Sequence, residues 1–152
     1  MTGDLVFVTE LKLFPDTQED QNRNYEHCCV YKSLCEYATL IQQFMDGTLT
    51  DLTSIPIQLD SFSLFQQRVL TAARNIGYGS VVSYSNLALL AGSPNAVRAA
   101  ATVMRKNRYP IIIPCHRVIR TKGEIGGYCG MQNGKAIELK RKLLSNEGVI
   151  IG

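Results

Sequence analysis

Apolar positions along the chain follow two kinds of spacing, and these predict its elements. Residues 5–13 partly alternate, Leu5 and Phe7, then Leu11 and Leu13, against Thr9, Glu10 and Lys12, which predicts a strand. Residues 15–24 are polar and acidic and read as a loop. From 34 to 45, Leu34, Tyr37, Ala38, Ile41, Phe44 and Met45 recur at helical spacing, and Gly47 stands where such a helix stops. Residues 55–59 predict a short strand or extended linker, interrupted by Pro56. A second helical stripe runs through Phe65, Val69, Ala72, Ala73 and Ile76, opened by Ser61 or Ser63 and closed by Gly77 and Gly79. Val81-Val82 is a short extended piece, and Ser83 caps a helix through Leu87 to about Ala91, ended by Gly92. Ser93-Pro94 then reads as a cap followed by proline at the first position of a helix reaching about Lys106. Two capped helices across a short glycine-containing turn form a helix-turn-helix pattern.

Charge changes the picture. The 152 residues carry a net +3, but residues 1–62 sum to −7 and residues 63–152 to +10. A basic half points to a polyanion, nucleic acid first, against the plainer reading of a solvated basic surface. The later helix of the pair carries Arg98, Arg105 and Lys106. It also carries Ala96, Ala99, Ala100 and Ala101, which either fill a helix or let its backbone approach a surface closely. The composition shift places a domain boundary near residue 60, dividing the chain into 1–61 and 62–152.

Composition also excludes classes. No apolar run approaches the ~18 residues needed to span a bilayer. Asp4 stands where a signal peptide needs positive charge. The five cysteines are odd in number and lack the pattern of a small disulfide scaffold, which favours free thiols. The expectation is a soluble intracellular protein, cytoplasmic, or nuclear in a eukaryote, with no membrane partner and no cofactor. His27-Cys28-Cys29 with Cys35 matches no standard zinc spacing, and adjacent cysteines share one tetrahedral site poorly, so no metal is expected.

The most informative segment is Ile111-Ile112-Ile113-Pro114-Cys115-His116-Arg117-Val118-Ile119. Three isoleucines anchor the backbone in a core, and Pro114 restricts Ile113, so Cys115 is presented from a rigid platform. A thiol attacks as thiolate, and positive charge from His116 and Arg117 would lower its pKa. In extended backbone, adjacent side chains point to opposite faces. Either the chain turns at Cys115, or His116 reaches the thiol through a water or after reorientation.

Pro114-Cys115-His116-Arg117-Val118 resembles the active-site motif of the methylated-DNA–protein-cysteine methyltransferases, also called 6-O-alkylguanine-DNA alkyltransferases. Further motifs follow in the family's order over residues 62–152: Phe65-Gln66-Gln67-Arg68-Val69-Leu70, Gly79-Ser80-Val81-Val82-Ser83-Tyr84, Ser93-Pro94-Asn95-Ala96-Val97-Arg98-Ala99, Met104-Arg105-Lys106-Asn107, Gly126-Gly127-Tyr128 and Leu143-Leu144-Ser145-Asn146-Glu147-Gly148. The resemblance implies an α/β (α+β) fold: a small, variable N-terminal α/β lobe and a mainly helical C-terminal domain with a winged-helix-like helix-turn-helix. It implies a single-turnover transferase that moves the alkyl group of 6-O-alkylguanine in duplex DNA onto its own Cys115, after flipping the base.

The remaining roles are likewise implied by resemblance. His116 joins Cys115 through a water, Glu147 orients His116, Asn107 braces the turn before the site, and the Tyr84 hydroxyl stabilises the departing guanine. Arg98 fills the vacated stack, while Tyr128, Cys129 and Pro110 line the guanine pocket. Ser85, Ser93, Ala96, Arg105 and Thr121 contact DNA, with Lys106 near phosphates. The partner is double-stranded DNA containing alkylated guanine, met by a monomer that binds either singly or cooperatively along the DNA. Two segments depart from the family. Ala99-Ala100-Ala101 replaces an Ala-Val-Gly stretch, and Cys129-Gly130-Met131-Gln132-Asn133-Gly134 replaces a small residue and two glycines, which leaves pocket width open. Cys129 falls near Cys115, so the pair is a candidate for oxidation. Rival readings fit less of the chain. An alkyltransferase-like lesion sensor lacks the cysteine, a helix-turn-helix regulator leaves the locked thiol idle, and a cysteine hydrolase is poorly served by adjacent Cys115 and His116.

Overall fold

The computed structural model describes residues 30–151. The predicted strand at 5–13, the loop at 15–24, and His27, Cys28 and Cys29 lie outside those residues. In chain order the elements are α1 (Val30–Met45), α2 (Leu64–Arg74), β1 (Val82–Ser83), α3 (Tyr84–Leu90), α4 (Val97–Arg105), a 3-10 turn at Cys115–Arg117, β2 (Val118–Ile119) and α5 (Lys135–Asn146). The two strands pair in parallel, Val82 opposite Val118 and Ser83 opposite Ile119. The result is the mixed, mostly helical α+β class expected, with the two-stranded sheet tying the start of α3 to the segment after Cys115.

Local chemistry accounts for the helix boundaries. Ser63 opens α2 with a reciprocal cap: its Oγ accepts from Gln66 N–H, and Gln66 Oε1 accepts from Ser63 N–H. Ser83 caps α3 by accepting from Asn86 N–H. Ser93-Pro94 does not cap the next helix, contrary to expectation. Residues 93–96 close a turn instead, Ala96 N–H to Ser93 O at 2.9 Å, and α4 starts at Val97 with Ala96 as an uncapped boundary. Residues 55–59 form no strand; the chain turns there, with Ile55 N–H bonded to Leu52 O, and only Ile57 bridges. Helices α1, α3 and α5 end alike, with return bonds Thr48 N–H to Gln43 O, Ser93 N–H to Ala88 O, and Val149 N–H to Leu144 O. Gly148 makes this ending possible at α5, since its φ of 76° is reached freely by glycine.

One core serves the described residues. Val69, Leu70 and Ala73 of α2 meet Leu87 and Ala88 of α3, and Ala100, Val103 and Met104 of α4. All three isoleucines at 111–113 are buried, as their run predicts. Phe44, Leu52 and Ile55 join the same cluster. The segment after α1 is strapped down by polar bonds as well, Arg74 to the carbonyls of Thr53 and Ile55 at 3.0 and 2.7 Å, and Tyr109 to that of Gln58. Asn146 donates to Met45 O at 2.9 Å, which joins the end of α5 to the end of α1.

Candidate active site

The backbone before Cys115 is bent into a shape that few sequences adopt unaided. Ile111 has φ of 75°, rare for a β-branched residue, and is held there by burial and neighbouring bonds. Ile113 N–H returns to Tyr109 O at 2.8 Å, and Cys115 N–H to Ile113 O at 2.7 Å. Asn107 clamps both ends of this bend: its Nδ2 donates to Ile113 O at 3.1 Å, and its Oδ1 accepts from Tyr109 N–H at 2.9 Å. Cys115 then opens the 3-10 turn, with Arg117 N–H on Pro114 O at 2.9 Å. The chain thus turns at Cys115, so Cys115 and His116 do not stand on opposite faces of an extended strand.

Behind that turn lies a buried ionic cluster. His116 is fully buried, and its Nε2 lies 2.8 Å from Glu147 Oε1. The carboxylate accepts, so Nε2 carries the proton and Nδ1 presents a lone pair. Burial pushes His116 below the usual imidazole range, against the pull of Glu147, so the ring is neutral near pH 7. His116 Nδ1 is buried without a protein partner. Arg117 does not turn its charge toward the thiol, as its position in the motif suggests. Its Nε and Nη2 donate to Glu147 at 2.9–3.1 Å, its Nη1 donates to Ile76 O, and its guanidinium stacks over Phe44 and Tyr78 at 5.7 and 5.8 Å. Gly79 N–H adds a bond to Glu147 Oε2 at 3.0 Å. Burial alone would raise Glu147, but the bonds from His116 and Arg117 outweigh it and hold the carboxyl at about 2.

Cys115, only 5% exposed, lies against a cavity of about 370 Å³. Its other walls include Tyr84 from α3, Ala101, Thr102 and Arg105 from α4, Arg120, and the stretch from Gly127 to Gln132. That stretch turns back on itself. Tyr128 and Met131 exchange both backbone bonds at 2.9 Å, and the intervening Cys129 and Gly130 have φ of 47° and 82°, a type I′ turn. The turn places Cys129 on the same cavity wall as Cys115, near enough for each thiol to perturb the other. The Cys129 thiol, with help from Asn107 and the charge of Lys140, holds Cys115 below the usual thiol range despite burial. Cys129 is pushed up in turn, by Cys115 first and then by burial. Tyr84 is raised by burial and by the Cys115 charge, and Tyr128 lies well above the tyrosine range for the same two reasons, so both hydroxyls stay protonated.

The structure therefore brings together Cys115, His116, Glu147, Asn107, Tyr84, Tyr128 and Cys129. Pro110 is buried beside the isoleucines and does not line the cavity. Arg98 and Arg105 are exposed on α4 and Lys106 just after it, and Arg105 also borders the cavity. Of the four alanines, Ala99 is exposed and Ala101 lines the cavity, whereas Ala100 packs into the core. Ser85 is half-buried with its hydroxyl 2.7 Å from that of Ser83, Ser93 and Ala96 sit in the turn before α4, and Thr121 is exposed after β2. Sequence reasoning missed Lys140. It is fully buried and donates to Val118 O at 2.7 Å and Gly127 O at 3.1 Å, tying β2 to the cavity loop. Burial brings its pKa down to about 8, against the opposing pull of Cys115 and Cys129. A signal existed: Lys140 interrupts the buried stripe Ala136, Leu143, Leu144 and Glu147.

Comparison with known proteins decides the family. Residues 64–149 match the model of the 6-O-methylguanine DNA methyltransferase, DNA binding domain. The chain belongs to this family. Among its relatives, the methylated-DNA–protein-cysteine methyltransferase of Methanothermobacter thermautotrophicus is 38% identical over 109 residues, 72% of this chain and 58% of the relative. That of Rattus norvegicus is 45% identical over 95 residues, 62% of this chain and 43% of the relative. The chain thus spans about half the length of the curated relatives it matches. Among 6-O-methylguanine methyltransferase structures, that of Mycobacterium tuberculosis aligns at TM-score 0.69 and 30% identity, covering 95% of this chain and 82% of that one. The Mycobacterium tuberculosis OGT in complex with DNA aligns at TM-score 0.65 and 36% identity, covering 73% of this chain and 63% of that one. In 6-O-methylguanine DNA methyltransferase terms, the matched residues contain the helix pair, the Cys115 turn, the cavity and Glu147, and exclude α1. Phe44 of α1 nonetheless packs edge-on against His116, with ring centroids 6.1 Å apart.

Proposed function

We propose that this chain repairs DNA by direct reversal, taking the alkyl group of 6-O-alkylguanine onto Cys115 once per molecule. The observation that carries the reading is a buried thiol on the wall of a cavity that is also lined by α4, the helix that holds Arg98 and Arg105 in solvent. A cavity of about 370 Å³ lies in the lower part of the range of small-molecule sites, ~300–1,000 Å³. The lesion is buried in a duplex, so the nucleotide must leave the stack, at a cost of a few kcal/mol. Arg98, exposed near the start of α4, fills the gap. Arg105, Lys106, Ser85, Ser93, Ala96 and Thr121 border the phosphates.

In the transfer, the Cys115 sulfur pair attacks the alkyl carbon in line, and the carbon–oxygen bond breaks toward guanine. The Tyr84 hydroxyl, still protonated, donates to the oxygen that gains this charge. The thiol proton passes through a water to His116 Nδ1, whose lone pair faces away from Glu147. Tyr128 and the Cys129 backbone hold the base, and Asn107 keeps the thiol in position through the bend. Domain 62–152 supplies the DNA contacts and the acceptor, and 1–61 braces it, as the packing of Phe44 suggests. Incubation with duplex DNA carrying 6-O-methylguanine should add one methyl mass to the tryptic peptide 109–117. Unmodified protein beside DNA that stays methylated overturns the reading.

A further inference from the structure

We infer that Cys115 and Cys129 form a reversible disulfide under hydroperoxide exposure, which closes the acceptor until a thiol reductant reopens it. The inference rests on the proposed function, because it concerns the regulation of that same cysteine. Two observations meet here. The thiols are both free, border one cavity, and lie near enough for each to perturb the ionisation of the other. Moreover, Cys129 occupies the first central position of the type I′ turn at φ 47°, where asparagine, aspartate or glycine is the easy choice. Turn chemistry does not account for a cysteine there, whereas pairing with Cys115 does. Cys129 is half-buried and the cavity reaches solvent, so a small peroxide has access to both sulfurs.

The chemistry matches the redox-sensing pattern of a thiolate with an adjacent resolving thiol. The Cys115 thiolate attacks one peroxide oxygen, the O–O bond breaks, and protonation of the leaving oxygen gives water or an alcohol. Cys115 is then a sulfenic acid. The Cys129 sulfur attacks the Cys115 sulfur, the S–O bond breaks, and hydroxide leaves as water with the Cys129 proton. Two thiols have lost two electrons, and the peroxide has gained them. Cys35 is exposed on α1 and does not border the cavity, so it is not the resolving partner.

The full chain, reduced and then exposed to hydrogen peroxide, is blocked with N-ethylmaleimide and digested without reductant. Peptides 109–117 and 123–135 should emerge joined and two hydrogens lighter than their sum. Methyl transfer should fall roughly tenfold or more, because the nucleophile is the free thiolate, and return with dithiothreitol. Cys129→Ser should give no joined peptide, and its Cys115 should advance to sulfinic acid that dithiothreitol does not rescue. Wild-type Cys115 found only as sulfinic acid, or joined to a different cysteine peptide, overturns the inference. Should the reduced protein take no methyl group, the proposed function fails, while the joined peptides still decide the disulfide.

Discussion

The molecule carries two groups of charges treated in opposite ways. Arg98, Arg105 and Lys106 stand in solvent along and just after α4, and none makes an ion pair among the described residues. His116, Arg117, Lys140 and Glu147 are buried in the interior that also holds Cys115, and each has a hydrogen-bond partner. An exposed charge is cheap to keep and is free to meet a ligand. A buried one costs several kcal/mol unless it is paired and hydrogen-bonded, so it is tolerated where it fixes geometry. The outer group is therefore suited to gripping a polyanion, and the inner group to holding the thiol, the imidazole and the cavity loop in register.

Breaking the inner group should have the largest effect. Glu147→Gln removes the one carboxylate shared by His116, Arg117 and Gly79, and should lower stability by ~3–5 kcal/mol at pH 7. The pH dependence has a definite sign. A carboxyl near ~4.3 in the unfolded chain and held at about 2 when folded stabilises above the first value and loses that contribution as pH falls toward the second. Urea titrations of both forms should show a gap widest above pH ~5 that narrows below it. A gap that is equal at every pH would break the comparison.

Lys140→Met should come next. It strips the donor from Val118 O and Gly127 O, costing ~1–3 kcal/mol. It also removes a positive charge beside Cys115. Iodoacetamide modification of Cys115 should slow at pH 7 and recover at pH 10, where the thiol ionises without help. Slowing that is equal at both pH values would mean that Lys140 only supports the fold. The smallest stability effect should come from the outer group. Arg98→Ala should change unfolding by no more than ~0.5 kcal/mol. It should nevertheless weaken transfer from duplex DNA more than from free alkylated base. Equal losses on both substrates would remove the stack-filling role.

How far these features were readable from the chain depends on their range. Caps and stops act within one turn, so the Ser63 and Ser83 caps and the Gly47 and Gly92 stops were legible. Ser93-Pro94 misled because its cap signal is local, while the turn at 93–96 and the start of α4 answer to packing against α3. Cys115 was legible through its flanking motif, and Glu147 through resemblance. The destination of Arg117 was not, since its partners are Glu147, Ile76, Phe44 and Tyr78, all remote in sequence.

By itself the sequence determined the helical periods, the charge division, the isoleucine anchor and a cysteine set in a family motif. Each of these depends on residue type and spacing within one or two turns. The tertiary structure alone decided that the chain turns at Cys115, that Arg117 serves Glu147, and that Lys140 and Cys129 stabilise the thiolate. Those outcomes depend on which distant groups share a low-dielectric interior. There a charge or donor left unmatched is costly, and packing selects the partner.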